Sequence, residues 1–266
     1  FDPRLTEEYQ HHGQATAPAN AAGEIAAMRH GAALWSCGNE TDTGTGQAID
    51  KGRIAVRENY VRGKIGPEAA VFFRHRALGL DVRDWQDIIL VKENGLRFYD
   101  ELDKTENGYF AAALTPTYHD PKKLNGGGPI WAIFDADTVE RLKWEPKPPN
   151  VDIENGFFFE AETVAELAKK IKMKYQRVPM PPENLEHTVL TYNHYVDSGV
   201  DWDFGKPRPL YKIAKPPFYA AWATPVLHDT RAGLRINARG QVVDMKGEVI
   251  PGLYSGGESA GGFSMH

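Results

Sequence analysis

The sequence predicts an α/β protein in which an α+β segment is inserted between two pieces of another domain. Three observations carry that reading. Small and apolar residues at helical spacing stand near the start, strand signals and capped helices fill the middle, and short strands with a glycine-rich turn close the chain. At 266 residues, there is room for one large domain or two ordinary ones, each with its own core.

Taken in order, residues 20–34 are dominated by small and apolar side chains. Ile25, Met28 and Ala32 recur at helical spacing, and Gly31 would allow close packing, so one helix lying on a sheet is expected. Residues 41–46 read as a turn-forming loop. Residues 87–91 and 96–99 then flank Glu93-Asn94-Gly95, and Asn-Gly is a strong short-range hairpin signal. Residues 129–134 form an apolar run that reads as a buried strand. The proline-rich residues 144–150 read as an exposed connector. Thr163-Val-Ala-Glu166 is a capping box, and Val164, Leu167, Ala168 and Ile171 form the inward stripe of its helix. Leu185, Val189, Tyr192 and Val196 repeat that stripe in a second helix, with Pro182 placed to start it and Gly199 to end it. Strands follow at 218–224, at 234–237 and 241–244 joined by Arg239-Gly240, and at 252–255.

Bulk properties narrow the function. A net charge of −5 without a basic stripe argues against nucleic acid as a partner. Nothing approaches the ~18 apolar residues of a membrane-spanning helix, and no signal-peptide pattern opens the sequence. The single cysteine, Cys37, excludes an internal disulfide and fits a reducing, cytoplasmic compartment. His187 and His194 lie seven apart on one helix face, but no Cys or acidic partner completes a metal set, so no metal is expected. Phe1 rather than Met opens the chain, so a processed, trimmed or incomplete polypeptide is expected.

The last sixteen residues are the most informative. A short apolar strand runs into Gly256, Gly257, Gly261 and Gly262, interleaved with Glu258 and Ser259. That composition suits a loop whose backbone must approach a ligand closely.

Several stretches, in order, resemble the flavoprotein family that contains fumarate reductases, succinate dehydrogenase flavoprotein subunits and ketosteroid dehydrogenases. Ile88-Ile-Leu-Val-Lys-Glu-Asn-Gly-Leu-Arg-Phe98 with Glu101 is similar to its strand, turn and G-x-R-F-x-x-E segment, and Ile130-Trp-Ala-Ile-Phe-Asp135 to its next strand. Residues 163–173, and Thr188-Val-Leu-Thr-Tyr-Asn193 with Asp201 and Phe204, resemble its paired helices. Phe218-Tyr-Ala, Pro225-Val-Leu-His228, Gly233-Leu-Arg-Ile-Asn237 and residues 251–262 resemble its return to the flavin domain.

The resemblance implies a doubly wound, split FAD-binding domain (residues 1–62 and 226–266) with an α+β capping domain inserted at 63–225. It implies that the family's N-terminal G-x-G-x-x-G loop, which holds the pyrophosphate, and its C-terminal helix lie outside this sequence. Such a fragment is expected to bind flavin poorly by itself. FAD is the implied cofactor, with Gly256, Gly257, Glu258, Ser259, Gly261 and Gly262 against it and the Glu258 carboxylate accepting from its hydroxyls.

The implied reaction moves a hydride between flavin and a carbon adjacent to a carbonyl or carboxylate. The partners are a small carboxylate or ketone and an electron-transfer protein. His228 matches a family histidine that contacts the substrate's carboxylate or carbonyl; without the resemblance it reads as a structural residue beside a strand. Tyr219 aligns with a tyrosine that ketosteroid dehydrogenases use to polarise a ketone, a position also filled by packing aromatics. Arg231 stands either as a cation near the flavin or as a partner for Asp229 or Asp244. Lys104, Thr105 and Glu106 occupy the place of the fumarate reductases' proton-donating arginine, which counts against fumarate reduction proper. A ketosteroid-type dehydrogenase and a non-catalytic α+β binding fragment are the alternatives.

Overall fold

The computed structural model describes residues 21–35, 39–42, 52–56, 66–70, 72–103, 129–224, 226–230 and 232–261. Cys37, residues 43–46 and residues 104–106 lie outside them. Two compact units result, one drawn from Ala15–Thr41 and Leu227–His266, the other from Asp42–Val226.

The first unit opens with helix α1 (Ala22–Arg29). It is shorter than residues 20–34, and its burial differs from the expected stripe. Ala32 is buried as expected and Ala27 with it, whereas Ile25 and Met28 are exposed at 41% and 45%. Gly31 serves the helix end rather than close packing. Its φ is +90°, and a Cβ there would meet nothing within 4 Å. Ala32 N donates to Ala27 O (3.1 Å) and Gly31 N to Met28 O (3.0 Å), the paired bonds of a Schellman terminus. Strands β1 (Leu34–Trp35) and β2 (Asn39–Asp42) follow.

The second unit contains β3 (Gly52–Ile54), a short helix α2 (Phe72–His75), β4 (Leu80–Val82), β5 (Ile89–Lys92), β6 (Ile130–Asp135) and α3 (Ala136–Leu142). After these come β7 (Phe158–Ala161), α4 (Val164–Lys170), α5 (Pro182–Ser198) and β8 (Phe218–Trp222). Its centre is an antiparallel sheet in the order β5-β6-β8-β7, with Leu90 opposite Ala132 and Ile133 opposite Ala220. Every residue of β5, β6 and β8 is buried, as a sheet covered on both faces requires. Ile89, Val91, Trp131, Ile133, Ala220 and Trp222 pack with Leu167 of α4 and Leu185, Val189 and Tyr192 of α5. The alternate residues Ile88, Leu90, Ala132, Phe134, Tyr219 and Ala221 pack with Ile54, Leu80 and Val82 of β3 and β4.

The two helices form for the reasons legible in their sequences. The Thr163 hydroxyl accepts from Glu166 N at 3.1 Å, and Leu167, Ala168 and Ile171 are all but fully buried. Pro182 occupies the first turn of α5 and Gly199 ends it at φ +71°. Thr188 and Tyr195 add to the buried face of α5, while His187 and His194 are exposed.

The Asn94-Gly95 turn is present, with Gly95 N donating to Lys92 O (2.9 Å) and Lys92 N to Leu96 O (3.1 Å). The expected second arm at 96–99 is not a strand; it makes one bridge, Val91 to Arg97, and β5 pairs instead with β6. Gly95 has φ +78°, and a Cβ there would lie 3.0 Å from Leu185 N, so the turn is pressed against the start of α5. The connector at 144–150 is also anchored: Trp144 is half-buried, packs on Phe134 and donates Nε1 to Asp81 O at 2.9 Å.

The chain returns to the first unit through β9 (Val226–Thr230), which pairs with β2. Strand β10 (Gly233–Leu234) pairs with β1, and β11 (Gln241–Val243) with β12 (Val249–Tyr254). The turn at 237–240 closes as expected, Gly240 N donating to Asn237 O at 2.9 Å with φ +73°. A small core of Ala27, Ala32, Leu234 and Val242 holds this unit.

Candidate functional site

The glycine-rich turn follows β12 directly. Gly257–Ser259 form one 3-10 turn, closed by Ala260 N donating to Gly257 O at 3.0 Å. Its base is fixed: Ser255 N donates to Gly240 O (3.0 Å), Gly261 N donates to Leu234 O (3.0 Å), and Ala260 is buried. The glycines fall into two kinds. A Cβ on Gly233 would lie 2.5 Å from Gly261 N and 2.6 Å from Ser259 O, and one on Gly261 would collide with Trp35 O. These two let backbone pack on backbone. Gly256 and Gly257 are exposed, and a Cβ on either would meet nothing within 4 Å. Packing among the described residues does not account for them, although Gly257 also adopts φ +64°. Glu258 lies within the 3-10 turn, its side chain outside the described residues, and Ser259 is exposed; Gly262 lies outside the described residues.

The catalytic candidates belong to different units. His228 sits in the middle of β9, in the first unit; its side chain and the whole of Arg231 lie outside the described residues. Tyr219 belongs to β8 of the second unit. Its ring is 6% exposed, stacked on Phe134 at 5.2 Å and tilted against Phe158 at 5.6 Å. Burial, reinforced by Glu160, Glu162 and Asp135, raises its phenol pKa. Packing accounts for this side chain.

The G-x-R-F-x-x-E segment has a definite place. Arg97, Glu101, Asp201 and Lys206 form a buried network of two cations and two anions. Arg97 donates through Nε (3.0 Å) and Nη2 (2.8 Å) to the two Glu101 oxygens, and through Nη2 to Asp201 Oδ2 at 2.9 Å. Leu90 N of β5 also donates to Glu101 Oε1 at 3.0 Å. Lys206 donates to Trp85 O (2.8 Å) and Ile88 O (3.0 Å), and its ammonium lies 3.3 Å from Glu101 Oε2. The Arg97 guanidinium sits between the rings of Tyr192 and Phe204 at 5.1 and 5.2 Å.

Burial alone would raise the Glu101 pKa, but Arg97 and Lys206 outweigh it and hold the carboxyl at about 2. Burial lowers the Lys206 pKa against the pull of Glu101, and Glu101 and Asp201 keep Arg97 charged against burial. The network therefore ties the turn after β5 to the end of α5. Sequence reasoning singled out Arg97 and Glu101 through the motif and Asp201 through the resemblance of the paired helices. It missed Lys206, since a lysine in a polar loop carries no signal of burial.

Comparison with known proteins now decides the family. A family model described as FAD binding domain matches residues 10–266. The chain belongs to that family. It is 32% identical over 179 residues to the NADH:acrylate oxidoreductase of Vibrio harveyi, covering 66% of this chain and 16% of that protein. It is 27% identical over 233 residues to a probable fumarate reductase of Shewanella frigidimarina, covering 86% and 35%. It thus spans no more than about a third of the length of these curated relatives. The 3-ketosteroid delta1-dehydrogenase of Sterolibacterium denitrificans shares the fold at TM-score 0.54 and 20% identity, over 94% of this chain and 43% of that one.

FAD is the cofactor of the FAD-binding family, and the turn at 256–261 fits it. Bare, exposed backbone at Gly256 and Gly257, on a base fixed by buried Ala260, leaves room for a cofactor to lie against the main chain. Among the described residues no cluster of His, Cys, Asp and Glu could hold a metal ion, and no helix is long and apolar enough to cross a membrane.

Proposed function

We propose that this chain is part of a fumarate reductase-like flavoprotein that moves a hydride between FAD and a carbon adjacent to a carboxylate or carbonyl. The family match over residues 10–266 carries the reading. The names of the relatives support it, an acrylate oxidoreductase and a probable fumarate reductase, since acrylate and fumarate each carry a C=C bond beside a carboxylate. Bound flavin supplies the hydride chemistry.

The chain's own residues bind and orient. Gly256, Gly257, Ser259 and Gly262 present backbone to the cofactor, and the Glu258 carboxylate accepts from its hydroxyls. His228 donates to the substrate oxygen that gains charge, and Arg231 supplies a cation for a carboxylate. Residues 1–62 and 226–266 belong to the flavin domain, and 63–225 form the cap that orders the substrate. A small carboxylate is the substrate, an electron-transfer protein the partner, and the cytoplasm the compartment, as the single cysteine suggests.

The test uses the protein that carries this chain, purified from its source. Absorbance bands near roughly 375 and 450 nm, typical of bound flavin, are expected. After anaerobic reduction they should return on adding acrylate or fumarate and not on adding a 3-ketosteroid. Absence of the bands would overturn the flavin assignment. Return with the steroid alone would replace the substrate class.

A further inference from the structure

We propose that the open groove beside the C-terminal end of α4 binds a small amphipathic carboxylate, an anion with an apolar tail. The groove encloses about 640 Å³, within the range of small-molecule sites. Its floor is built from Ala168, Ile171 and Met180, each at most 2% exposed and part of the core under the sheet, so the concavity is preformed. Half-buried Val178 supplies a wall.

The charges at the groove are all of one sign. Lys169, Lys172 and Arg177 line it, and no acidic residue does. Arg177 is engaged, its Nε 2.6 Å from Glu93 Oε1 and its backbone N 2.8 Å from Glu93 Oε2. Lys169 and Lys172 are exposed, and their side chains make no hydrogen bond or ion pair among the described residues. A lysine in the last turn of α4 is accounted for by the helix dipole, but Lys172 lies beyond the helix, and the dipole does not explain the apolar hollow beside it. Two free ammonium groups over an apolar floor match a ligand with a carboxylate at one end and hydrocarbon at the other.

Calorimetric titration with decanoate tests this, with decyltrimethylammonium as a probe of equal tail and opposite charge. Decanoate should saturate one site, and the cation should bind at least about tenfold more weakly. Replacing Lys169→Gln and Lys172→Gln together should weaken decanoate about tenfold. Both residues are exposed, so the unfolding midpoint should stay where it is. Absence of saturable decanoate binding would overturn the proposal. So would equal binding of the two probes, or decanoate binding unchanged by the double substitution, which would place the anion elsewhere.

Discussion

Replacing Glu101→Gln tests the buried network most directly. The side chain is fully buried and accepts from Leu90 N, Arg97 Nε and Arg97 Nη2, with the Lys206 ammonium 3.3 Å away. The amide keeps the shape, but its NH2 faces cationic donors, and two buried cations are left with Asp201 as the remaining anion. A carboxyl held at about 2 instead of the ordinary 4.5 favours the ionised form by about 3 kcal/mol, at ~1.36 kcal/mol per tenfold. Breaking a buried ion pair costs about 3–5 kcal/mol, so both routes give a loss of about 3 kcal/mol at neutral pH.

The sign with pH follows from the lowered pKa. The contribution is present above about pH 4.5 and is lost as the pH falls through about 2. Urea unfolding followed by tryptophan fluorescence reports on this unit through Trp131 and Trp222, which are buried in its sheet. The gap between parent and variant should be about 3 kcal/mol at pH 7 and should shrink steadily towards pH 2. A gap under about 1 kcal/mol at pH 7, or one that does not narrow in acid, would refute the argument that the Glu101 charge holds this network.

Three further outcomes are expected. Gly95→Ala forces a Cβ to within 3.0 Å of Leu185 N at φ +78° and should lower stability by about 1–3 kcal/mol, read in the same urea experiment. Gly256→Ala, at φ −160° with open space around it, should leave the unfolding midpoint unchanged while weakening FAD binding in a fluorescence titration; unchanged affinity would remove Gly256 from the cofactor's surroundings. Tyr219→Phe keeps both aromatic contacts and deletes a hydroxyl without a hydrogen-bond partner among the described residues, so stability and carboxylate turnover should both persist. Loss of turnover with intact folding would instead give this hydroxyl the ketone-polarising role.

Much of the fold was legible because local physical chemistry dictates it. Thr163 accepting from Glu166 N, Pro182 and Gly199 bounding α5, and the Asn94-Gly95 turn all depend on bonds within a few residues. The apolar runs at 87–91, 129–134 and 218–224 announced strands, the second of them buried, and the glycines after β12 announced backbone that a ligand could approach. Readings failed where a distant partner decides. Of Ile25, Met28 and Ala32, which share one helical spacing, Ala32 meets the core of the first unit as expected, but small Ala27 joins it there in place of Ile25 and Met28. Residues 96–99 look like a hairpin arm, but β6 is the better partner for β5, and Arg97 is drawn instead towards Glu101 and Asp201.

The sequence by itself determined the α/β class, the flavoprotein family and the glycine-rich turn after β12, since these rest on order, spacing and backbone freedom. Tertiary structure alone decided that Tyr219 is stacked in an aromatic core, that Gly233 and Gly261 are glycines because two backbones touch, and that Lys206 is buried. Each depends on what lies across space from a residue. Contacts between positions far apart in the chain leave no local pattern to read.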